Sequence, residues 1–287
     1  MSHPYEPIPF TVIRGRPGTI AAMDEASDLT GFDTSRPSPA RIYDYWLGGS
    51  NNFAVDRDVA ERAATAMPTL RAAIWANRGF LRRVVRYLVE EEGIDQFLDL
   101  GSGVPTVGNV HEIAQTVNPG ATVVYVDIDP VAVAHGRRLL AANDNATVLQ
   151  ADLRDPAQLL ANPDLTALLD LTRPVAVLLI AVLHFIPDTE GPDEIVRAYR
   201  ERMAPGSYLA ISHAADDADL PGEQATMIKD YSGATKVPFI HRDPARLASW
   251  FDGLDIIEPG ITQTTEWRPD TQPEPILRTY CAVGRKP

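Results

Sequence analysis

The sequence predicts an α/β protein: a doubly wound, mostly parallel sheet of seven strands with an antiparallel last strand, entered through a helical extension. Three observations carry this. From residue 96 onward, short Val/Ile/Leu-rich runs alternate with amphipathic stretches of helical length. The runs are apolar throughout rather than every second residue, as strands covered on both faces require. Gly or Asp stands where each of the first three runs ends, at the turn that follows.

Residues 1–38 carry scattered Pro and Gly, an acidic patch at 24–28 and no sustained periodicity, and read as a flexible arm. Residues 39–92 form the helical extension and 93–287 the sheet domain. Over 69–92, Leu70, Ile74, Leu81, Val84 and Leu88 make an apolar stripe. Arg78, Arg82, Arg86 and Glu90 recur every four residues on another face, which reads as solvated. Strands are expected at 96–100, 122–126, 147–150, 175–181 and 208–212, with helices at 107–117, 130–142, 156–169 and 193–203 between them. Two late strands, 255–258 and 279–283, flank a Pro-rich segment, and the last suits an antiparallel edge. Asp129-Pro130, Asp155-Pro156 and Asp243-Pro244 each read as an N-cap followed by proline in the first helical position.

The chain has 287 residues, 26 basic against 39 acidic, for a formal net charge of −13. That balance argues against nucleic acid as a direct partner, because phosphate contacts need clustered Lys and Arg. It gives no help at an anionic membrane either. The longest apolar run, 175–183, is too short for a bilayer, which takes about 20 residues. The first ten residues lack a basic start and an apolar core, so no secretion signal is expected. One cysteine, Cys281, cannot form an internal disulfide and reads as a small buried residue of a late strand. These features together point to a cytoplasmic protein.

The chemistry concentrates at strand ends. The first strand closes in Asp99-Leu100-Gly101-Ser102-Gly103-Val104-Pro105-Thr106 and runs into a helix. Glycines there let the backbone turn tightly and approach a ligand, and the helix start offers free N–H groups. The second strand ends in Asp127-Ile128-Asp129, where a carboxylate can accept from both ribose hydroxyls. The third ends in Gln150-Ala151-Asp152-Leu153. Asp129, before Pro130, has a ready role as an N-cap; Asp127 and Asp152 do not. This is a Rossmann-like arrangement, and two nucleoside cofactors fit it: a nicotinamide dinucleotide or S-adenosylmethionine. The dinucleotide fingerprint wants a small third residue where Thr106 stands, and Pro105 removes an N–H from the phosphate cradle. Asp99 would also oppose a pyrophosphate, whereas it suits a ligand bearing an ammonium and a sulfonium. The residues therefore favour S-adenosylmethionine.

The order Asp99-x-Gly101-x-Gly103, Asp127, Asp152 resembles the class I S-adenosylmethionine-dependent methyltransferases. More narrowly, the segment from Ser38-Pro39-Ala40-Arg41-Ile42-Tyr43-Asp44-Tyr45-Trp46-Leu47-Gly48-Gly49 to Asp56-Arg57 resembles the opening signature of an actinobacterial methyltransferase family of largely unassigned substrate. The similarity runs from about Pro37 to the closing Tyr280-Cys281-Ala282-Val283-Gly284. It implies that Asp99, Gly101, Ser102 and Gly103 line the methionine end of the cofactor. Asp127 would hold the ribose and Ile128 lie against the adenine. Asp152 would accept from the adenine amino group, and the Leu153 backbone would donate to its ring. Ala181 and Val182 would border the sulfonium and the acceptor cavity. Pro105 departs from the third glycine common in this turn, which puts the path of the loop in question. S-adenosylhomocysteine would be the product and a small molecule the methyl acceptor.

Residues 43–57 form a second dense cluster, read either as a packing helix with a Gly-Gly turn or as a lid. In the lid reading Gly48-Gly49 is the hinge, Tyr43, Tyr45 and Phe53 cover the site, and Arg57 meets a carboxylate. His184 follows the fourth strand and His213 the fifth; of the two, His184 is the candidate catalytic base. Acceptor contacts are expected from the arm, from 43–57 and from a loop-rich region at 216–237. No nucleophile elbow, Walker loop or Cys/His metal spacing occurs. The competing readings are an NAD(P)-dependent oxidoreductase and a non-catalytic S-adenosylmethionine-binding regulator.

Overall fold

A computed structural model describes residues 33–215, 222–270 and 278–287. The predicted arm falls outside the described residues up to residue 32, and the acceptor region outside them at 216–221. The extension consists of α1 (Pro39–Trp46), α2 (Ala54–Ala66) and α3 (Leu70–Glu90). Then follow β1 (Gln96–Leu100), α4 (Val110–Val117), β2 (Thr122–Asp127), α5 (Pro130–Leu140) and β3 (Ala146–Gln150). Next come α6 (Pro156–Leu160), α7 (Pro163–Thr166), β4 (Ala176–Ile180), α8 (Pro192–Arg202) and β5 (Tyr208–Ala214). The chain closes with α9 (Gly222–Thr235), α10 (Pro244–Ser249), β6 (Asp255–Ile256), β7 (Thr262–Gln263) and β8 (Thr279–Arg285).

The strands lie in the order β3-β2-β1-β4-β5-β8-β6, with β7 also paired to β8. β1 to β5 are parallel, and β8 runs antiparallel to β5. The expected architecture is therefore present, with eight strands rather than seven. The additional strand, β7, is two residues long, too short to show any period in the sequence.

Side chains alternate across the sheet. Phe97, Val123 and Leu178 join one core with Phe80, Val84 and Leu88 of α3. Leu98, Val124 and Leu179 join the other with Leu160, Ile195 and Trp250. All three Asp-Pro sites cap helices: Asp129 accepts from Val131 N at 2.8 Å, Asp155 from Gln158 N at 3.0 Å and Asp243 from Arg246 N at 2.8 Å. The helix expected at 156–169 is broken into α6 and α7, because Asn162-Pro163 starts a new helix with its own cap. The region expected to be loop at 216–237 holds α9, which buries Met227 and Tyr231 one turn apart against Ile42, Trp46 and Val59.

The extension is fastened by buried charge. Asp56, fully buried, accepts from Arg41 Nε at 2.9 Å, Ser38 N at 2.9 Å and Phe53 N at 2.8 Å. Gly48, at φ +81°, ends α1, and a Cβ on Gly49 would lie 2.0 Å from Asp44 Oδ1. The two glycines thus serve termination and close packing rather than a free hinge. Asp56→Ala would leave Arg41 buried without its nearest carboxylate. Urea unfolding of that variant is expected to show a loss of about 3 kcal/mol.

Candidate active site

A cavity of about 410 Å³ opens at the carboxyl ends of the parallel strands, where the order reverses between β1 and β4. Its floor is the turn after β1. Gly101 and Gly103 hold φ of +71° and +68°. A Cβ on Gly101 would lie 2.2 Å from Val182 Cγ2, whereas one on Gly103 would meet only Ala40, at 4.0 Å. The first glycine is thus needed for packing, and the second leaves backbone open to a ligand. Gly101 N and Ser102 N donate to Val126 O, which fixes the turn against β2.

Two carboxylates stand beside this turn. Asp127, last residue of β2, accepts from Gly103 N at 2.7 Å and Asp129 N at 2.8 Å. Burial pushes its carboxyl up to about 6 against the pull of these N–H groups. Asp99 accepts no hydrogen bond among the described residues, and burial raises it to about 7, with the Arg78 charge opposing. Arg78, from α3, also borders the cavity; its Nε donates to Val107 O at 2.7 Å and its Nη2 to Asn109 Oδ1 at 3.2 Å. Asp152 borders the cavity after β3 but is held by Arg154, whose Nη2 lies 2.6 Å away and keeps the carboxyl below its usual range. Leu153 lines the same wall, and Ile128 is 59% exposed beside Asp127.

Ala181, just past β4, adopts φ +55°, a left-handed conformation that a non-glycine residue seldom takes. Ala181 N donates to Ser212 O at 3.1 Å and Ser212 Oγ at 3.0 Å. Ser212 Oγ donates in turn to Asn77 Oδ1 at 2.6 Å, and Asn77 Nδ2 to Tyr43 OH at 2.9 Å. A polar chain therefore ties α1 and α3 to the strand ends beside the cavity. Val182 follows, and His184 sits in the short 3₁₀ turn Leu183–Phe185. The His184 ring is 6% exposed and borders the cavity; its Nδ1 is fully enclosed, and neither ring nitrogen has a hydrogen-bond partner among the described residues. Burial, then the neighbouring His213, His241 and Arg242, hold it well below the ordinary histidine range.

His213 is placed differently. Its Nε2 lies 3.0 Å from Arg242 Nη1 and its Nδ1 2.8 Å from Ala214 O. Arginine only donates, so Nε2 accepts and Nδ1–H donates to the carbonyl. Both nitrogens are satisfied, and burial lowers the ring to about 4. His213 supports the wall and is not a candidate base.

Of the expected residues, Asp99, Gly101, Ser102, Gly103, Asp127, Ile128, Asp152, Leu153, Ala181, Val182 and His184 meet around the cavity. Tyr45 and Arg57 do not. The Tyr45 hydroxyl donates to Glu61 at 2.5 Å, and exposed Arg57 donates to Asn52 O at 2.9 Å. Tyr45 is two helical positions from Tyr43, about 200° around α1, so only one of them can face inward. Tyr43 does. Phe53 is likewise used elsewhere, at the start of α2 beneath the Arg41 guanidinium. Arg78, Asn77, Phe185 and Phe239 were not expected at the site, whereas Tyr231 lies within 216–237, where acceptor contacts were expected. Arg78 belongs to a basic stripe whose other members, Arg82 and Arg86, pair on the surface with Asp270 and Glu90.

These residues present carboxylates and open backbone with no cluster of cations, which fits a cationic nucleoside cofactor. A family model described as S-adenosyl methyltransferase matches residues 25–287. The chain belongs to that family. The enzyme is thus an S-adenosylmethionine-dependent methyltransferase. It is similar to a structure from Thermobifida fusca, provisionally assigned as a methyltransferase, with 42% identity, 90% of this chain and 97% of that chain covered, and a TM-score of 0.84. A DUF574-family protein from Streptomyces avermitilis is 39% identical over 89% of this chain and 99% of that one, with a TM-score of 0.83. No curated protein matches the methyltransferase.

A cofactor whose ammonium came to lie beside Asp99 would favour the charged carboxylate, and its binding would then favour proton release. Because burial holds the free carboxyl near 7, affinity for S-adenosylmethionine is expected to rise as pH goes from 5.5 to 7.5. Asp99→Asn should flatten that rise. Calorimetry across this range checks both.

Proposed function

We propose that the methyltransferase acts on an O, N or C nucleophile of a small-molecule acceptor seated next to the cofactor in the same cavity. The observation that carries this is the continuity of the cavity: it runs from the strand-end acids past Ala181 and Val182 to a mostly apolar chamber under α1, α3 and α9. Such a chamber suits a compact ligand better than a polymer, and the net charge of −13 disfavours nucleic acid. The lone, buried Cys281 suits a reducing compartment such as the cytoplasm.

Asp99 takes the cofactor's ammonium and Arg78 its carboxylate, while the backbone of Gly101, Ser102 and Gly103 lies along the methionine chain. Asp127 holds the ribose hydroxyls, and Ile128 gives the adenine an apolar face that is otherwise in water. Asp152 and the Leu153 backbone meet the adenine edge, Asp152 through whichever lone pairs Arg154 leaves. Bound there, S-adenosylmethionine supplies an electrophilic methyl carbon on a cationic sulfur. Ala181 and Val182 border that carbon, and the strained Ala181 backbone keeps the wall from relaxing into it. The chain's remaining task is to exclude water and hold the nucleophile in line, which accounts for much of the rate when the leaving group is already activated. His184, uncharged and at the chamber wall, takes a proton when the acceptor carries one.

Titration calorimetry of the full chain is expected to show S-adenosylmethionine and S-adenosylhomocysteine binding, with no comparable binding of NAD(H). Asp127→Ala should weaken both by at least about tenfold, and Arg78→Gln by about tenfold, as for lost charge-assisted hydrogen bonds. Tyr45→Ala and Arg57→Ala should bind as the parent does. A preference for NAD(H), or Asp127→Ala binding unchanged, overturns the assignment. With a metabolite extract as acceptor pool, His184→Ala is expected to release S-adenosylhomocysteine about 10²-fold more slowly at unchanged cofactor affinity.

A further inference from the structure

Beyond Val182 the cavity walls become aromatic, and Phe239 is their centre. Its ring lies 4.5 Å from His184 at a 33° tilt, 5.6 Å from Phe185, 5.9 Å from Tyr231 and 5.1 Å from His241. Trp46 extends the wall, stacked on Tyr231 at 6.5 Å and 17°. Ring faces and edges in this arrangement favour a flat π-system over a saturated ring of equal area. The acids bordering the cavity, Asp99, Asp127, Asp129 and Asp152, all belong to the β1–β3 side. Among the described residues no carboxylate borders the aromatic half, and Arg278, which does, is exposed. Pressed against Phe239, a cationic ligand would lose its hydration with no described carboxylate in the wall, and an anionic one would find only Arg278, which stays in water where an ion pair is worth little. In that same wall His184 is nine-tenths buried, its Nδ1 is fully enclosed, and its Nε2 has no hydrogen-bond partner among the described residues.

We propose that the acceptor is an uncharged, planar, hydroxylated aromatic molecule, packed on Phe239 with its hydroxyl donating to His184 Nε2, and that this oxygen receives the methyl group. The inference rests on the methyltransferase assignment above and narrows its nucleophile to oxygen. The neutral tautomer with its proton on the enclosed Nδ1 leaves Nε2 able to accept. In the transfer a lone pair of the hydroxyl oxygen forms the new carbon–oxygen bond. The carbon–sulfur bond breaks with its electron pair kept by sulfur, giving the neutral thioether, and the hydroxyl proton passes to His184 Nε2. A weakly basic imidazole suffices, because the oxygen becomes strongly acidic as the new bond forms. An aliphatic amine would arrive as an ammonium ion, which the described wall does not neutralise.

The test uses the full chain saturated with S-adenosylhomocysteine and measures the binding of four probes by calorimetry and saturation-transfer NMR. They are 2-naphthol, decahydro-2-naphthol, 2-naphthoate and 2-naphthylmethylammonium. The cationic arm matters because Asp216, Asp217 and Asp219 follow Ala215 in the sequence. 2-Naphthol is expected to bind at least tenfold more tightly than the other three. Phe239→Leu should weaken it at least fivefold while S-adenosylhomocysteine binds as before. Against 2-methylnaphthalene, which lacks the hydroxyl, the advantage of 2-naphthol should disappear in His184→Phe, with cofactor-product affinity showing that the variant is folded. Equal or tighter binding of the ammonium, the carboxylate or the saturated alcohol overturns the proposal. So does absence of 2-naphthol binding to enzyme that holds S-adenosylhomocysteine, or an advantage that survives in His184→Phe. Failure of S-adenosylhomocysteine itself to bind would instead strike the cofactor assignment on which the proposal rests.

Discussion

Asp99 and Asp127 are withdrawn from water at the ends of β1 and β2 and no protein cation pairs directly with them among the described residues; the rest of the site depends on that. Two neighbouring acids are met by a cation instead. Asp56 is paired with Arg41 and capped by two backbone N–H groups. Asp129 has the Arg41 guanidinium at 3.6 Å and the Ser38 hydroxyl. Asp99 has only a distant Arg78, and Asp127 only backbone donors. A carboxylate left in this condition resists ionisation, and a positive charge brought beside it would relieve that cost. A ligand with an ammonium and a sulfonium suits such a pair of acids, whereas a pyrophosphate would oppose them.

The extension converts this electrostatic floor into an enclosed site. Thr106, where a dinucleotide-binding turn would want a small residue, donates from Oγ1 to Asp44 Oδ1 at 2.7 Å and thereby ties the turn to α1. Asp44 also accepts from Asn51 N and Asn52 Nδ2, at 2.9 and 2.8 Å, so one carboxylate organises both the loop after α1 and the roof over the turn. The same helix presents Ile42 and Trp46 to α9, and that contact walls the apolar chamber beyond the strand ends. The strand-end turn and the apolar chamber therefore share α1. The Tyr43–Asn77–Ser212–Ala181 chain carries its position to the strand ends.

Strands, sheet class and strand-end acids were legible because they follow from local period and turn chemistry, and the Asp-Pro caps because they need only neighbours in sequence. What was not legible depends on tertiary partners. In α9, GEQATMIKDYSGAT, glycines and polar residues dilute the apolar pattern, and its burial of Met227 and Tyr231 is meaningful only opposite α1 and α2. Arg78 shares its spacing with Arg82 and Arg86, and only the approach of the β1–α4 turn distinguishes it. Tyr43 and Tyr45 look interchangeable in sequence, and the helical angle between them sends one to the cavity and the other to Glu61. The left-handed Ala181 had no signal at all, since alanine does not advertise a positive φ.

An unpartnered buried nitrogen does not by itself mark a reactive site, and the protein supplies its own control. Trp267 Nε1 is also without a partner among the described residues, yet its ring is locked edge-on between Phe80 and Tyr87 in the core away from the cavity. There the lost hydrogen bond, a cost of about 1–3 kcal/mol, accompanies tight aromatic packing that no ligand could reach. His184 bears the same defect on the wall of the strand-end cavity, while His213 beside it is satisfied at both nitrogens by a buried arginine and a backbone carbonyl. Two histidines from adjacent strand ends are thus separated by hydrogen bonding. One is fixed in its tautomer and its place by Arg242, and the other keeps an unengaged ring nitrogen beside the aromatic wall of the cavity.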